Sequence, residues 1–210
     1  METKPYITLL GEGSGEYSEK KSRFIGYACP CKTEQQALDF IRRIKSRHSD
    51  ARHHVYAYLL EENHITRYTD DGEPQGTAGV PVLDIIRKNG VCDACIVVIR
   101  YFGGILLGTG GLVRAYTAAA KAAVENAQIV AYETYQCFRV RCNYADYQKI
   151  SYENARHGIK VDHTEFADDV TLFLACKETQ YAAYRERLTD ATGGNAEIVM
   201  LQTRLDRDAL

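Results

Sequence analysis

The spacing of apolar residues along the chain predicts alternating strands and helices. Tyr6–Leu10 and Phe24–Cys29 read as strands, separated by a glycine-rich turn. Thr33 followed by Gln36 is a capping-box pair. Ala37, Phe40, Ile41 and Ile44 then recur at helical spacing, which predicts a helix ending near Arg47. His54–Leu60 has strand character, and Pro81–Lys88 opens with a proline suited to a first helical turn. Ala94–Tyr101 is almost wholly apolar, as expected of a central strand covered on both faces. Beyond a second glycine-rich stretch, Leu112, Val113, Tyr116, Ala119, Ala120 and Ala123 mark one face of a helix reaching about Asn126.

The remaining residues follow a more regular order. A strand at Tyr135–Cys142 precedes a helix at Ala145–Arg156, which Gly158 ends. Strands at Ile159–Glu165 and Val170–Cys176 are joined by Ala167, Asp168 and Asp169. A helix over Gln180–Thr189 stops at Gly193 and Gly194, and a last strand spans Glu197–Gln202. The order β-α-β-β-α-β is that of a ferredoxin-like split βαβ unit. The fold class expected is therefore α+β.

Composition supports a division between these halves. Residues 72–111 hold nine of the sixteen glycines, whereas 132–192 hold one. Residues 1–131 carry a net charge of +1 and residues 132–210 a net charge of −3. We therefore expect one domain over 1–131 and a second over 132–210, tightly coupled because no Pro/Ser-rich linker separates them. A chain that is 26% charged and 45% apolar is not of the disordered type. Its longest relevant apolar run, Ala94–Ile99, falls well below the roughly 20 residues of a membrane span. The start has no apolar signal segment, and the seven cysteines are an odd number. Together these lead us to expect a reduced, cytoplasmic protein without membrane partners. Cys92 and Cys95, with Cys29 and Cys31, would make a zinc site only if folding brought all four together, so no metal is expected.

Two segments carry the candidate chemistry. In the first, Asp70, Asp71, Gly72, Glu73, Gly76, Thr77 and Gly79 put three carboxylates and three glycines in ten positions. It reads either as a rigid, self-bonded turn or as an acidic cluster holding a cation or a basic partner. In the second, Arg100 and Tyr101 lead into Gly103, Gly104, Gly108, Gly110 and Gly111, and Arg114 follows. Backbone N–H groups at the helix start could meet an anion there, with Arg100 and Arg114 as its partners. The alternative is close backbone packing beneath a short hydrophobic plug, with either arginine paired to Asp70, Asp71 or Glu73. Thr109 stands where a phosphate-binding loop needs lysine, and Val113 where a dinucleotide fingerprint needs glycine. Both segments are expected on one face of the first domain, and replacing Arg100 by alanine is expected to weaken binding and spare the fold.

His53 and His54 begin a strand on opposite faces, one expected exposed and the other half-buried; His53 is a candidate contact or base. Lys32, Arg42, Arg43, Lys45, Arg47 and His48 make the first helix and its end basic, which suits the helix dipole or an RNA or acidic-protein contact. Neither a zinc-peptidase motif nor a serine-hydrolase elbow occurs.

Ser22–Gly26, Ala51–His54 with Ala57-Tyr58, Asp70–Gly79 and Arg100–Tyr116 together resemble the IMPACT/YigZ family over about residues 18–127. The remainder is similar to the C-terminal domain of bacterial YigZ-type members. The resemblance implies a ribosomal protein S5 domain 2-like first domain followed by a ferredoxin-like second one. Domains IV and V of elongation factor G pair similar folds, so a ribosome or RNA association is implied. The eukaryotic namesake restrains a stress-response kinase of translation initiation by competing for that kinase's activator. A proline-dipeptidase activity attached to some bacterial members finds no metal-ligand set in this sequence. The expectation is a cytoplasmic, non-enzymatic translation regulator or accessory factor, with no cofactor and no catalytic residue. It would bind a ribosomal, RNA or protein partner through the two loops. The alternatives are an enzyme acting on a phosphorylated or nucleotide-like ligand at the same loops, and a protein adaptor anchored by Tyr56, Tyr58, Tyr101 and Tyr116.

Overall fold

The computed structural model describes residues 4–208, and the chain divides into two compact units, Tyr6–Ala131 and the residues from Tyr132 onward. Both are mixed α and β, with antiparallel sheets.

The first unit contains strands β1 (Tyr6–Leu9), β2 (Gly13–Glu19), β3 (Ser22–Pro30), β4 (His53–Leu60), β5 (Ile65–Thr69) and β6 (Ala94–Tyr101). Its helices are α1 (Glu34–Arg47), α2 (Gly79–Lys88) and α3 (Gly108–Ala127). The main sheet runs β2-β3-β6-β4-β5, every neighbour antiparallel. Alternate side chains of β6 enter two cores: Ile96 and Val98 meet α2 and α3, whereas Cys95, Val97 and Ile99 meet α1. Thr33 caps α1 through Gln36 in a complete capping box.

Two strands differ from the sequence-based expectation. Residues 13–19 form β2 rather than part of a turn, because the positions facing α3 include glycines. A Cβ at Gly13 would sit 2.2 Å from the Ala127 nitrogen, and one at Gly26 on β3 would sit 2.3 Å from the Ala119 carbonyl oxygen. The alanine face of α3 lies directly on this strand backbone, so the usual apolar alternation is absent while the packing is tight. The second addition, β5, is a short edge strand whose polar residues Thr66, Arg67 and Thr69 hide its pairing with β4.

Antiparallel registry collects several termini at one end of this sheet. Arg23 lies opposite Tyr101, His53 opposite Arg100, and Tyr56 opposite Thr69. The β2–β3 turn, the start of β4, the segment leading into α2 and the segment leading into α3 therefore share that end.

The chain continues into β7 (Ile129–Cys142), followed by α4 (Tyr144–His157), β8 (Lys160–Phe166), β9 (Val170–Lys177), α5 (Glu178–Ala191) and β10 (Glu197–Asp206). In the second unit the strands lie in the order β10-β7-β9-β8. Phe138, Val140, Leu172 and Leu174 pack with Ile150 of α4 and with Tyr184 and Leu188 of α5 on one sheet face. Asn143 caps α4, and Gly158 closes it in the left-handed region at φ 63°. The last strand runs past Gln202 to Asp206, because an irregularity between Met200 and Thr203 breaks its alternation.

Candidate partner-binding site

The acidic segment is held mainly by its own hydrogen bonds. The Asp70 carboxylate accepts backbone N–H bonds from Gly76 at 2.9 Å, Ala78 at 3.1 Å and Gly79 at 2.8 Å. It thereby caps the N-terminus of α2, where no adjacent side chain does so. A Cβ at Gly79 would fall 2.7 Å from the Thr69 carbonyl oxygen, so glycine is needed for α2 to start against β5. Thr77 closes the turn by donating its hydroxyl to the Pro74 carbonyl at 2.6 Å. Gly72 and Gly76 take positive φ, as does Asp71.

Asp70 and Asp71 point to different partners. The Asp71 carboxylate accepts the His54 backbone N–H at 2.7 Å, and its carbonyl lies 2.9 Å from His53 Nδ1. Both histidines are half-buried, contrary to the expectation that one would be exposed, because this segment folds back over the start of β4. Replacing Asp70 by alanine leaves three backbone N–H groups without their acceptor at once. The expected loss is about 2 kcal/mol, read as a lower urea midpoint with the slope unchanged.

Glu73 joins the two segments. Arg100 Nη1 donates to both Glu73 oxygens, at 2.6 and 2.9 Å, and the Tyr116 hydroxyl donates to Oε1 at 2.7 Å. Glu73, Arg100 and Tyr116 are 9%, 5% and 0% exposed. Burial, with the Glu73 charge beside it, pushes the Tyr116 hydroxyl far above its ordinary pKa. The Arg100 guanidinium lies over the rings of Phe24 and Phe102, at 5.5 and 5.3 Å. Arg100 is therefore an internal ion-pair member. The expectation that its removal would spare the fold is corrected by its burial against a carboxylate.

The glycine segment divides into a scaffold part and an exposed part. Gly103 passes so close to the β2–β3 turn that a Cβ would lie 2.0 Å from the Lys21 carbonyl carbon, and its N–H donates to Ser22 Oγ at 3.1 Å. Gly104 and Gly108 take positive φ with open space around them. Gly110 and Gly111 lie in the first turn of α3, which has no side-chain cap. Exposed apolar side chains stand here: Phe102 at 45%, Ile105 at 44%, Leu106 at 82% and Val113 at 37%. Arg114 is exposed and lies 3.6 Å from Glu19, away from the acidic segment.

Tyr101 belongs to a network on the α1 side that sequence reasoning did not assemble. Its hydroxyl donates to Asp50 at 3.0 Å and meets His48 Nδ1 at 2.9 Å, while His48 Nε2 meets the Tyr27 hydroxyl at 2.8 Å. Burial and the nearby Arg47 charge hold the His48 pKa below its ordinary value. Local pattern does not reveal this grouping, since Tyr27 and Tyr101 are remote in sequence from His48 and Asp50. Among the described residues, no group of three or more His, Cys, Asp and Glu side chains is arranged to hold a metal ion. No helix of the described residues is long and apolar enough to cross a membrane.

The Impact N-terminal domain family model matches residues 20–124, and a domain of unknown function, DUF1949, matches residues 140–195. The chain is 36% identical over 194 residues to IMPACT family member YvyE of Bacillus subtilis, covering 92% of this chain and 89% of that protein. It is 31% identical to IMPACT family member YigZ of Escherichia coli, covering 87% and 91% of the two chains. A protein IMPACT homolog of Dictyostelium discoideum is 35% identical over 95 residues, covering 43% of this chain and 27% of that protein. A crystal structure of a hypothetical protein superposes with a TM-score of 0.59 at 28% identity, covering 95% of this chain and 98% of that one. Matched by the N-terminal family model over half its length and by the bacterial relatives over most of it, this chain belongs to the IMPACT family.

Proposed function

We propose that this protein is a translation-associated regulator or accessory factor that works in the cytoplasm by binding rather than by catalysis. In this reading residues 1–131 form an S5 domain 2-like domain and residues 132–210 a ferredoxin-like one. The contact surface is the sheet end carrying the β6–α3 segment. The observation that supports it most is a contrast of exposure. Asp70, Asp71, Glu73 and Arg100 are occupied by contacts within the protein, whereas Phe102, Ile105 and Leu106 face solvent. A group of exposed apolar side chains on one segment marks an interaction surface. Family membership adds the translation setting, and Lys20, Lys21 and Arg114 add positive charge near an acidic or ribosomal partner. The enzyme alternative loses support because Arg100, its main anion partner, is already engaged by Glu73.

Sedimentation of cell extract through a low-salt sucrose gradient tests the reading. The full-length protein is expected to travel with ribosomal particles. The variant carrying Ile105→Asp and Leu106→Asp is expected to lose at least about tenfold of that association while folding normally. Wild-type protein confined to the top of the gradient would contradict the proposal.

A further inference from the structure

The second unit has a sheet face turned away from its helices. Phe138, Val140, Leu172 and Leu174 pack toward α4 and α5. Alternation therefore places Arg139, Arg141, Thr171 and Phe173 on the opposite face. Across the β7–β9 pair, Arg139 lies beside Phe173 and Arg141 beside Thr171. On the other side of β9, β8 sets His163 beside Phe173 and Glu165 beside Thr171.

A cavity of about 280 Å³ opens over these residues, bordered by Arg139, Arg141, Glu165, Asp168, Thr171 and Phe173. That volume lies at the lower limit of small-molecule sites. The rings of His163 and Phe173 are stacked, with centroids 4.0 Å apart and planes 11° apart. His163 thus backs one face of Phe173, and the cavity borders the part of the ring that His163 leaves free. The charged groups stand on opposite sides of β9. Both arginines come from β7, whereas Glu165 comes from β8 and Asp168 from the β8–β9 turn. Arg141 commits Nε and Nη2 to one Asp169 oxygen, at 3.0 and 2.9 Å. Arg139 Nη2 is 3.6 Å from Glu197, longer than a hydrogen bond. Among the described residues, Nη1 of each arginine and the Asp168 carboxylate have no partner.

We propose that this cavity binds the base of a free guanine nucleotide. The inference does not rest on the β6–α3 contact surface. A backed aromatic ring suits the flat face of a base. The arginine side supplies only hydrogen-bond donors, and the carboxylate side only acceptors. Guanine carries two acceptors, O6 and N7, on one edge, and two donors, N1–H and the 2-amino group, on another. No other common base joins a two-acceptor edge to a two-donor edge. Adenine mixes donor and acceptor on each edge and so leaves an arginine facing an amino group or a carboxylate facing a ring nitrogen. Residues 132–210 carry a net charge of −3, which repels a polyanionic strand more than one nucleotide whose phosphate points to solvent.

Isothermal titration of the full-length protein with GMP, AMP and CMP tests the assignment. GMP is expected to bind at least about tenfold more tightly than either of the others. Arg139→Gln and Phe173→Ala are each expected to weaken GMP binding by at least about tenfold. The double variant Glu165→Gln with Asp168→Asn is expected to bring GMP and AMP within about threefold of each other. Arg139, Glu165 and Asp168 are partly or fully exposed, so their variants are expected to keep the wild-type melting temperature. The wild-type preference needs no variant and is decisive by itself. AMP bound as tightly as GMP, no saturable GMP binding at millimolar concentration, or GMP binding unchanged in a folded Arg139→Gln protein would each overturn the proposal. A guanine-containing single-stranded RNA oligonucleotide bound at least about tenfold more tightly than GMP would also overturn it, making a strand the ligand.

Discussion

Replacing Arg100 by alanine is expected to destabilise the first unit by about 3–5 kcal/mol. The side chains of Arg100 and Glu73 are 6% and 4% exposed, so little water is available to replace the lost partner. The variant leaves a carboxylate buried with the Tyr116 hydroxyl as hydrogen-bond donor and no opposite charge beside it. It also opens the space between Phe24 and Phe102 that the guanidinium fills. A loss of this size is a large part of the total stability of an ordinary domain. The pair itself need not be net stabilising, because both charges were desolvated on folding. A triple variant, Arg100→Met with Glu73→Leu and Tyr116→Phe, is therefore expected to recover most of the loss by making the cluster apolar. Urea unfolding of the three proteins checks this. An Arg100→Ala protein within 1 kcal/mol of wild type would show that Glu73 is adequately solvated without its partner.

Gly103→Ala carries the second large effect. The added methyl group would meet the Lys21 carbonyl carbon at 2.0 Å, its oxygen at 2.2 Å and the Ser22 nitrogen at 2.4 Å. These are backbone atoms, so relief requires moving the turn itself. Lys20 and Lys21 both occupy positive φ, at 46° and 66°, where lysine is intrinsically disfavoured. The close passage of Gly103 and its hydrogen bond to Ser22 hold that turn in place. A loss of at least about 2 kcal/mol is expected, together with weaker partner binding. Gly110→Ala is the control, since the nearest atom to its Cβ is the mobile Arg114 Nη1 at 3.8 Å. It should leave the melting temperature unchanged or slightly higher. Equal melting temperatures for the Gly103 and Gly110 variants would mean that the turn is not held by close packing.

Much of this architecture was readable from local pattern. The capping box at Thr33, the doubly covered strand at Ala94–Tyr101 and the helix stop at Gly158 each depend on residues close in sequence. What escaped depends on contacts between distant segments. The glycines of β2 look like turn residues until the alanine face of α3 is known to lie against them. The acidic segment offered two readings, and its hydrogen bonds favour the rigid, self-bonded one for Asp70 and Asp71. Arg100 could equally have met a ligand or a carboxylate, and only the fold brings Glu73 beneath it. Leu106 illustrates the reverse case. In sequence it looks like part of a hydrophobic plug, but it stands 82% exposed because the chain turns outward at Gly104 and Gly108.

In the proposed function the β6–α3 segment is the contact surface. Site-specific photocross-linking in living cells tests this most directly, with a benzophenone amino acid placed at Leu106 and, as a control, at the exposed Tyr152 of α4. A discrete cross-link to a ribosomal or translation-factor component is expected from position 106 and absent from position 152. Position 106 giving no cross-link above the control, while the protein is folded and expressed at the normal level, would contradict it.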